Sequence, residues 1–221
     1  MPGQVRAEWR RRMPQQVRAM RRLSWIFLFA VLICGLWLPP AAAAEAKPTD
    51  VVDHVNDAIL SAMRNAEDLG YQGRYDALAR VLGESFYFAF MAQAAAGRHW
   101  SGFDETQKQR LAEDFERMSI ASYASRFDGY SGQRFEVGET VQHPRGTVIV
   151  RNRLFQSDGK GVSIDYLLRN FEGRWRIIDI FLKGVISEIA TKRSEYGSIL
   201  EREGIDELFA RLEAKVAELA A

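Results

Sequence analysis

Apolar residues between positions 50 and 127 recur at helical spacing. Val52, Val55, Ile59, Met63 and Ala66 fall at intervals of three and four, which predicts a helix capped by Thr49 or Asp50 and stopped at Gly70. A short helix is predicted over Arg74 to Leu82. The segment from Ser85 to Gly97 is apolar almost all round, so a helix there must be buried on most sides or line an apolar space. Asp104 with Gln107 reads as a capping box that opens a long helix through Phe127. Leu111, Phe115 and Met118 form its inner stripe, continued by Tyr123 and Phe127.

From about Gln133 the period changes to two. Strands are predicted at 133 to 141, 146 to 156, 161 to 171 and 174 to 183, joined by turns at His143-Pro144-Arg145-Gly146, Ser157 to Gly161 and Glu172-Gly173. Links this short make neighbouring strands antiparallel. Val148, Val150 and Leu154 share one strand face, as do Val162, Ile164, Tyr166 and Leu168 of the next. The run Ile177 to Leu182 is apolar on both faces, which calls for local cover on both sides. Two helices close the chain, Val185 to about Glu203 and Asp206 to about Leu219, the second with Leu208, Phe209, Leu212, Val216 and Leu219 on one side. Helices, a four-stranded or five-stranded antiparallel meander, then helices make an α+β domain.

Charge divides the chain in two. Of 30 Lys plus Arg and 29 Asp plus Glu, seven Arg and one Glu lie before residue 45, leaving 23 bases and 28 acids beyond it. Leu23 to Leu38 is a 16-residue apolar stretch behind Arg21-Arg22, followed by Pro39-Pro40 and four alanines. That order is a secretory signal, with cleavage expected after Ala44 and a single domain over 45 to 221. The alternative is an uncleaved anchor, although 16 residues fall just short of the ~17 to 25 that span a bilayer. Cys34 is the single cysteine, so an exported 45–221 domain has neither disulfides nor a thiolate nucleophile. Its acidic balance argues against nucleic acid.

The usual catalytic signatures are missing: no P-loop, no HExxH, no GxSxG. His54, His99 and His143 are scattered and read as solvated or turn-capping residues, so no metal site is expected. Asp165 and Tyr166 are consecutive strand residues and point to opposite faces. Asp179 is the one carboxylate placed to act as a buried proton acceptor; its structural reading is a hydrogen bond, or an ion pair with Arg151 or Arg169. The apolar stripes would ordinarily form a closed core, and could equally wrap a cavity.

The run Phe88, Phe90, Met91, Gly97 and Trp100, then Gln107-x-x-Arg110-Leu111-x3-Phe115, then Trp175-Arg-Ile-Ile-Asp179-Ile-Phe-Leu-Lys-Gly184-Val185-x-Ser187, resembles the MlaC-type, or toluene-tolerance, family of periplasmic lipid-binding proteins. Arg193 to Lys215 resembles its C-terminal helices, so that the likeness spans residues 50 to 216. Phe86 to Phe90 and the Gly97-Arg-His-Trp100 segment are similar to the hopanoid-associated HpnM branch. Ile186, Glu188 and Ile189 depart from the family around Ser187.

The resemblance implies a cone-shaped fold akin to nuclear transport factor 2, enclosing the acyl tails of a phospholipid or hopanoid. It also implies a monomeric carrier, without catalytic residues or cofactor, that exchanges lipid between an inner-membrane transporter complex and an outer-membrane lipoprotein complex in a Gram-negative periplasm. Strand alternation then places Val148, Val150, Leu154, Ile164, Tyr166, Leu168, Ile178, Ile180 and Leu182 on the sheet side of the cavity. Phe86, Phe90, Met91, Phe115 and Met118 would stand opposite, with Val185 and Ile186 at the mouth. Two other readings stay open: a steroid-isomerase-like enzyme whose Asp179 faces the cavity, and an adaptor with a solid core.

Overall fold

Pro48 begins the first helix, α1 (Pro48–Arg64), at a position where its missing N–H costs nothing. The computed structural model describes residues 47–221; the expected leader lies outside them. The Asp50 carboxylate accepts the Lys47 N–H at 3.0 Å, so the helix starts slightly before the predicted cap. It also ends before Gly70. Asn65 donates its side-chain amide to the Ser61 carbonyl at 2.8 Å, the kind of local competition that terminates a helix. The next helix, α2 (Ala66–Ser85), absorbs Gly70 as a kink with φ +58°, a conformation glycine adopts without strain. Arg74 is buried beside that kink and donates to the Ala124 carbonyl at 2.9 Å and the Ala66 carbonyl at 3.1 Å, joining the start of α2 to the long helix that follows.

A short apolar helix α3 (Phe88–Ala96) leads through a 3-10 segment (Gly97–Gly102) into α4 (Glu105–Arg126). The capping box forms as predicted: Gln107 N–H donates to Asp104 at 2.8 Å, and Asp104 N–H donates to Gln107 at 3.0 Å.

The sheet has five antiparallel strands in sequential order: β1 (Arg134–His143), β2 (Thr147–Phe155), β3 (Gly161–Phe171), β4 (Arg174–Leu182) and the two-residue β5 (Ile186–Ser187). Two further helices, α5 (Glu188–Arg202) and α6 (Ile205–Ala220), complete the unit Ala46–Ala221. The helix expected from Val185 thus begins three residues later. Lys183 and Gly184 both take positive φ, the geometry of a tight hairpin turn, and Ile186–Ser187 pairs back on β4. Asp179 fixes this arrangement. One of its oxygens accepts the Ser187 hydroxyl at 2.6 Å, and the other accepts the Ile180 N–H at 2.7 Å and the Ile189 N–H at 3.1 Å. Ser187 in turn caps α5 by accepting from Ala190 N–H at 2.9 Å.

Cross-strand register sorts the inner face into rows. Val148, Leu168 and Ile177 form one; Val150, Tyr166 and Ile180 the next; Ile164 and Leu182 a third; Leu154 and Val162 the last. The alternation breaks in β4, where pairing passes from Leu167↔Asp179 to Leu168↔Ile177 and Ile178 becomes the extra residue of a bulge. That bulge is why the run reads as apolar on both faces. On the opposite face, buried Asp165 accepts from Arg151 at 2.6 Å, Ser163 at 2.9 Å and the Asn152 N–H at 3.1 Å. The Arg151 ion pair therefore belongs to Asp165 and not to Asp179.

Removing the Asp179 carboxylate should leave the Ser187 hydroxyl and the Ile189 amide unsatisfied together. Asp179→Ala is expected to cost about 3 kcal/mol, lowering Tm by on the order of 10 °C. Thermal and urea unfolding check this; a Tm within a degree of the parent would contradict the structural role.

Candidate functional site: an apolar chamber at the open end of the sheet

The rows of the inner face divide into a closed end and an open end. Val148, Val150, Leu168 and Ile177 are buried in one continuous core with Val52, Val55 and Ile59 of α1 and Leu78 and Leu82 of α2. Side chains of Asn56 and Asn152 exchange hydrogen bonds of 3.0 and 3.4 Å between α1 and β2. Over the rest of the inner face the helices do not fill the space. A cavity of about 1070 Å³ opens there, with Tyr166, Ile180, Ile164, Leu182, Leu154 and Val162 on its sheet wall. At about 30 Å³ per water-sized group, this volume holds roughly 35 methylene-sized groups, on the scale of two acyl chains.

Facing the sheet are Phe86, Phe88 and Met91 at the start of α3, and Phe115 and Met118 of α4. Ring packing holds this wall in place: Phe86 stacks on Phe88 at 5.3 Å and meets Tyr123 and Tyr166 edge-on at 6.0 and 6.3 Å. The C-terminal helices supply a third wall through Ile189, Tyr196, Ile199, Leu208 and Leu212.

Polar groups on the walls are neutral or satisfied locally. Ser119 and Ser122 of α4 donate back to the Phe115 and Met118 carbonyls at 2.7 and 2.8 Å. Burial pushes the Tyr166 phenol up to about 12, with the neighbouring Tyr123 hydroxyl acting in the opposite direction. Burial raises Tyr123 well above its usual range, reinforced by Tyr166, and burial likewise raises Tyr196, reinforced by Glu195 and Asp114. All three stay uncharged at any physiological pH.

Charge appears only toward the rim, on Arg126, Asp128, Lys183, Glu188, Lys192, Glu195, Arg211, Lys215 and Glu218. Several of these pair locally: Lys192 with Glu195 at 3.0 Å, Lys215 with Glu218 at 2.7 Å, and Arg211 with Glu207 at 2.8 Å. Among the described residues Arg126 and Lys183 make no ion pair.

Of the residues expected around a cavity, Phe86, Met91, Phe115, Met118, Leu154, Ile164, Tyr166, Ile180 and Leu182 line it. Val148 and Leu168 do not, because their row lies in the closed end, and Val150 does not, because it is fully packed in the core although its row partners Tyr166 and Ile180 reach the cavity. Ile178 is displaced by the bulge. Phe90 is turned off the inward face of α3, which carries Phe88 and Met91, and packs outside against Tyr87 at 6.1 Å and Phe171 at 5.9 Å. Val185 and Ile186 stand exposed beside the rim and not in the wall. The wall from α5 and α6 was not assigned from sequence, although the stripe through Leu208 and Leu212 marked it.

Asp179 is absent from the lining, and its oxygens are engaged with the β5–α5 segment. The isomerase reading, which required it to face the cavity, therefore fails. A chamber of this size equally excludes the solid-core adaptor. Among the described residues no three His, Cys, Asp or Glu side chains come together as a metal site.

A structure of a phospholipid-binding protein from Ralstonia solanacearum, solved in complex with a phospholipid, superposes with a TM-score of 0.70 at 22% identity, covering 80% of this chain and all of that one. The fold is thus shared with a protein that holds a lipid. The family model described as MlaC protein matches residues 53–214, nearly the whole described unit from the second turn of α1 into α6, and the chain belongs to the MlaC family.

Proposed function

We propose that this protein is a phospholipid carrier of the periplasm, exported on the strength of its first 44 residues. In this reading the chamber takes the acyl tails and the head group remains at the charged rim. The carrying observation is the chamber itself: about 1070 Å³ of space walled mainly by apolar side chains and neutral phenols, with the Ser119 and Ser122 hydroxyls turned back onto their own helix. The phospholipid bound in the Ralstonia protein of the same fold supports the ligand class.

Energetics explain why such a carrier is needed. Each CH₂ taken out of water is worth about 0.8 kcal/mol, so two tails crossing an aqueous compartment exposed would cost more than roughly 20 kcal/mol. The protein would accept lipid at one membrane and release it at the other, working with an inner-membrane transporter complex and an outer-membrane lipoprotein complex. Acting as a monomer, it would use neither cofactor nor metal.

The two ends of the sheet give separable tests. Ile164→Arg places a charge in the tail space and should reduce phospholipid uptake from a cyclodextrin donor at least tenfold, a loss of about 1.4 kcal/mol or more, with little change in Tm. Val150→Ala lies in the closed core and should cost about 1 to 3 kcal/mol of stability while the folded protein still loads lipid. Fluorescent-lipid titration and urea unfolding read the two effects. Unimpaired loading by Ile164→Arg would contradict the placement of the tails.

A further inference from the structure

Three of the five exposed large apolar residues among those described occur at one place: Val162, Val185 and Ile186, at 39%, 78% and 46% exposure. The Lys183 N–H donates to the Ser163 carbonyl at 2.9 Å, tying the turn that carries Val185 to β3 at the residue next to Val162. Val185 N–H donates to the Leu182 carbonyl at 3.2 Å, and Ile186 pairs with Leu182 across β4 and β5. Leu182 and Val162 also line the chamber. Apolar surface therefore runs from the tail space over the rim and onto the outside of the molecule.

This lip is held firmly. Asp179 secures Ser187 directly behind it, and Gly184, at φ +73°, gives the turn a conformation most side chains resist. Turns of this kind ordinarily carry polar residues; here the turn projects two aliphatic ones. The nearby charges are Lys183 in the turn itself, Arg153 packed over Gly161, Lys160 paired with Asp158 at 2.8 Å, Asp165 behind Gly184 and paired with Arg151 at 2.6 Å, and Glu188 at the start of α5. Cations outnumber acids beside the lip, although the residues beyond 44 carry an acidic excess.

We infer that Val162, Val185 and Ile186 form a wedge that seats in the surface of a phospholipid bilayer, so that the chamber mouth opens directly against the lipid it takes up. The occupant is argued from two observations: continuity of the lip with the tail-lining wall, and cations placed where head-group phosphates would lie. Binding at a bilayer interface strengthens with buried apolar area and with basic residues beside it. A preformed turn also loses little further conformational freedom on insertion. The inference rests on the carrier reading and adds the route by which lipid enters.

The test compares the parent with a Val185→Asp/Ile186→Thr variant, using protein-free vesicles of phosphatidylethanolamine and phosphatidylglycerol that contain a pyrene-labelled phospholipid. Vesicle flotation and the rate of lipid extraction are measured together, with loading of the same lipid from cyclodextrin in parallel. The variant should float at least fivefold less, extract at least tenfold more slowly, load normally from cyclodextrin and melt at the parental temperature. If it melts lower, Val185→Ser alone, at the most exposed position, repeats the comparison. Equal flotation and equal extraction would overturn the wedge, assign the lip to a protein partner and leave the carrier reading intact. Failure of the parent to load lipid from cyclodextrin would overturn the carrier reading, while flotation would still decide the wedge.

Discussion

Asp179 joins the last long strand to everything that follows it. Its carboxylate takes the Ser187 hydroxyl on one oxygen and the Ile180 and Ile189 amides on the other, so a charged group that would be costly to bury alone is satisfied from three sides. This contact sets where β5 pairs, where α5 begins and how Ile189, the first wall residue of that helix, enters the chamber. It also fixes the turn that carries the exposed lip. It acts together with the packing of α5 on α3 and of α6 on α4, and with the Arg193 hydrogen bond to the Ala94 carbonyl at 2.7 Å, to place the third wall of the chamber.

A second constraint acts along the sheet. One inner face must serve as the floor of a packed core at one end and as the wall of an unfilled space at the other. The Asn56–Asn152 pair ties α1 to β2 by a buried polar contact at the level of Ile164, where the sheet wall of the chamber has already begun. Tight packing at the closed end supplies the stability that an unfilled chamber does not, because a space without partner atoms forfeits dispersion contacts. Lipid in the chamber would restore them, and a ligand that binds only the folded state raises its stability.

Much of this architecture was legible in the residues. The change of period near Gln133, the X-Gly turns and the Asp104–Gln107 box located the elements, and alternation separated Asp165 from Tyr166 correctly. What strand alternation could not see was the bulge at Ile178, since an extra residue leaves no mark in a run already apolar on both sides. Nor could it distinguish Val150 from Ile180: they share a face and a row, and only the placement of the helices decides which meets packed side chains and which meets open space. Phe90 was misplaced for a related reason. In an all-apolar helix the inward face is set by where the helix begins, and composition does not reveal that. The role of Asp179 was half visible, as a structural acceptor without its partners.

The chamber is the claim on which the functional account stands. Native mass spectrometry of the protein purified without detergent from an expressing periplasm tests it most directly. The account predicts one phospholipid-mass adduct per chain, released on denaturation and identified by fragmentation as a diacyl lipid. A chain that emerges bare and stays bare after incubation with phospholipid on cyclodextrin would contradict it.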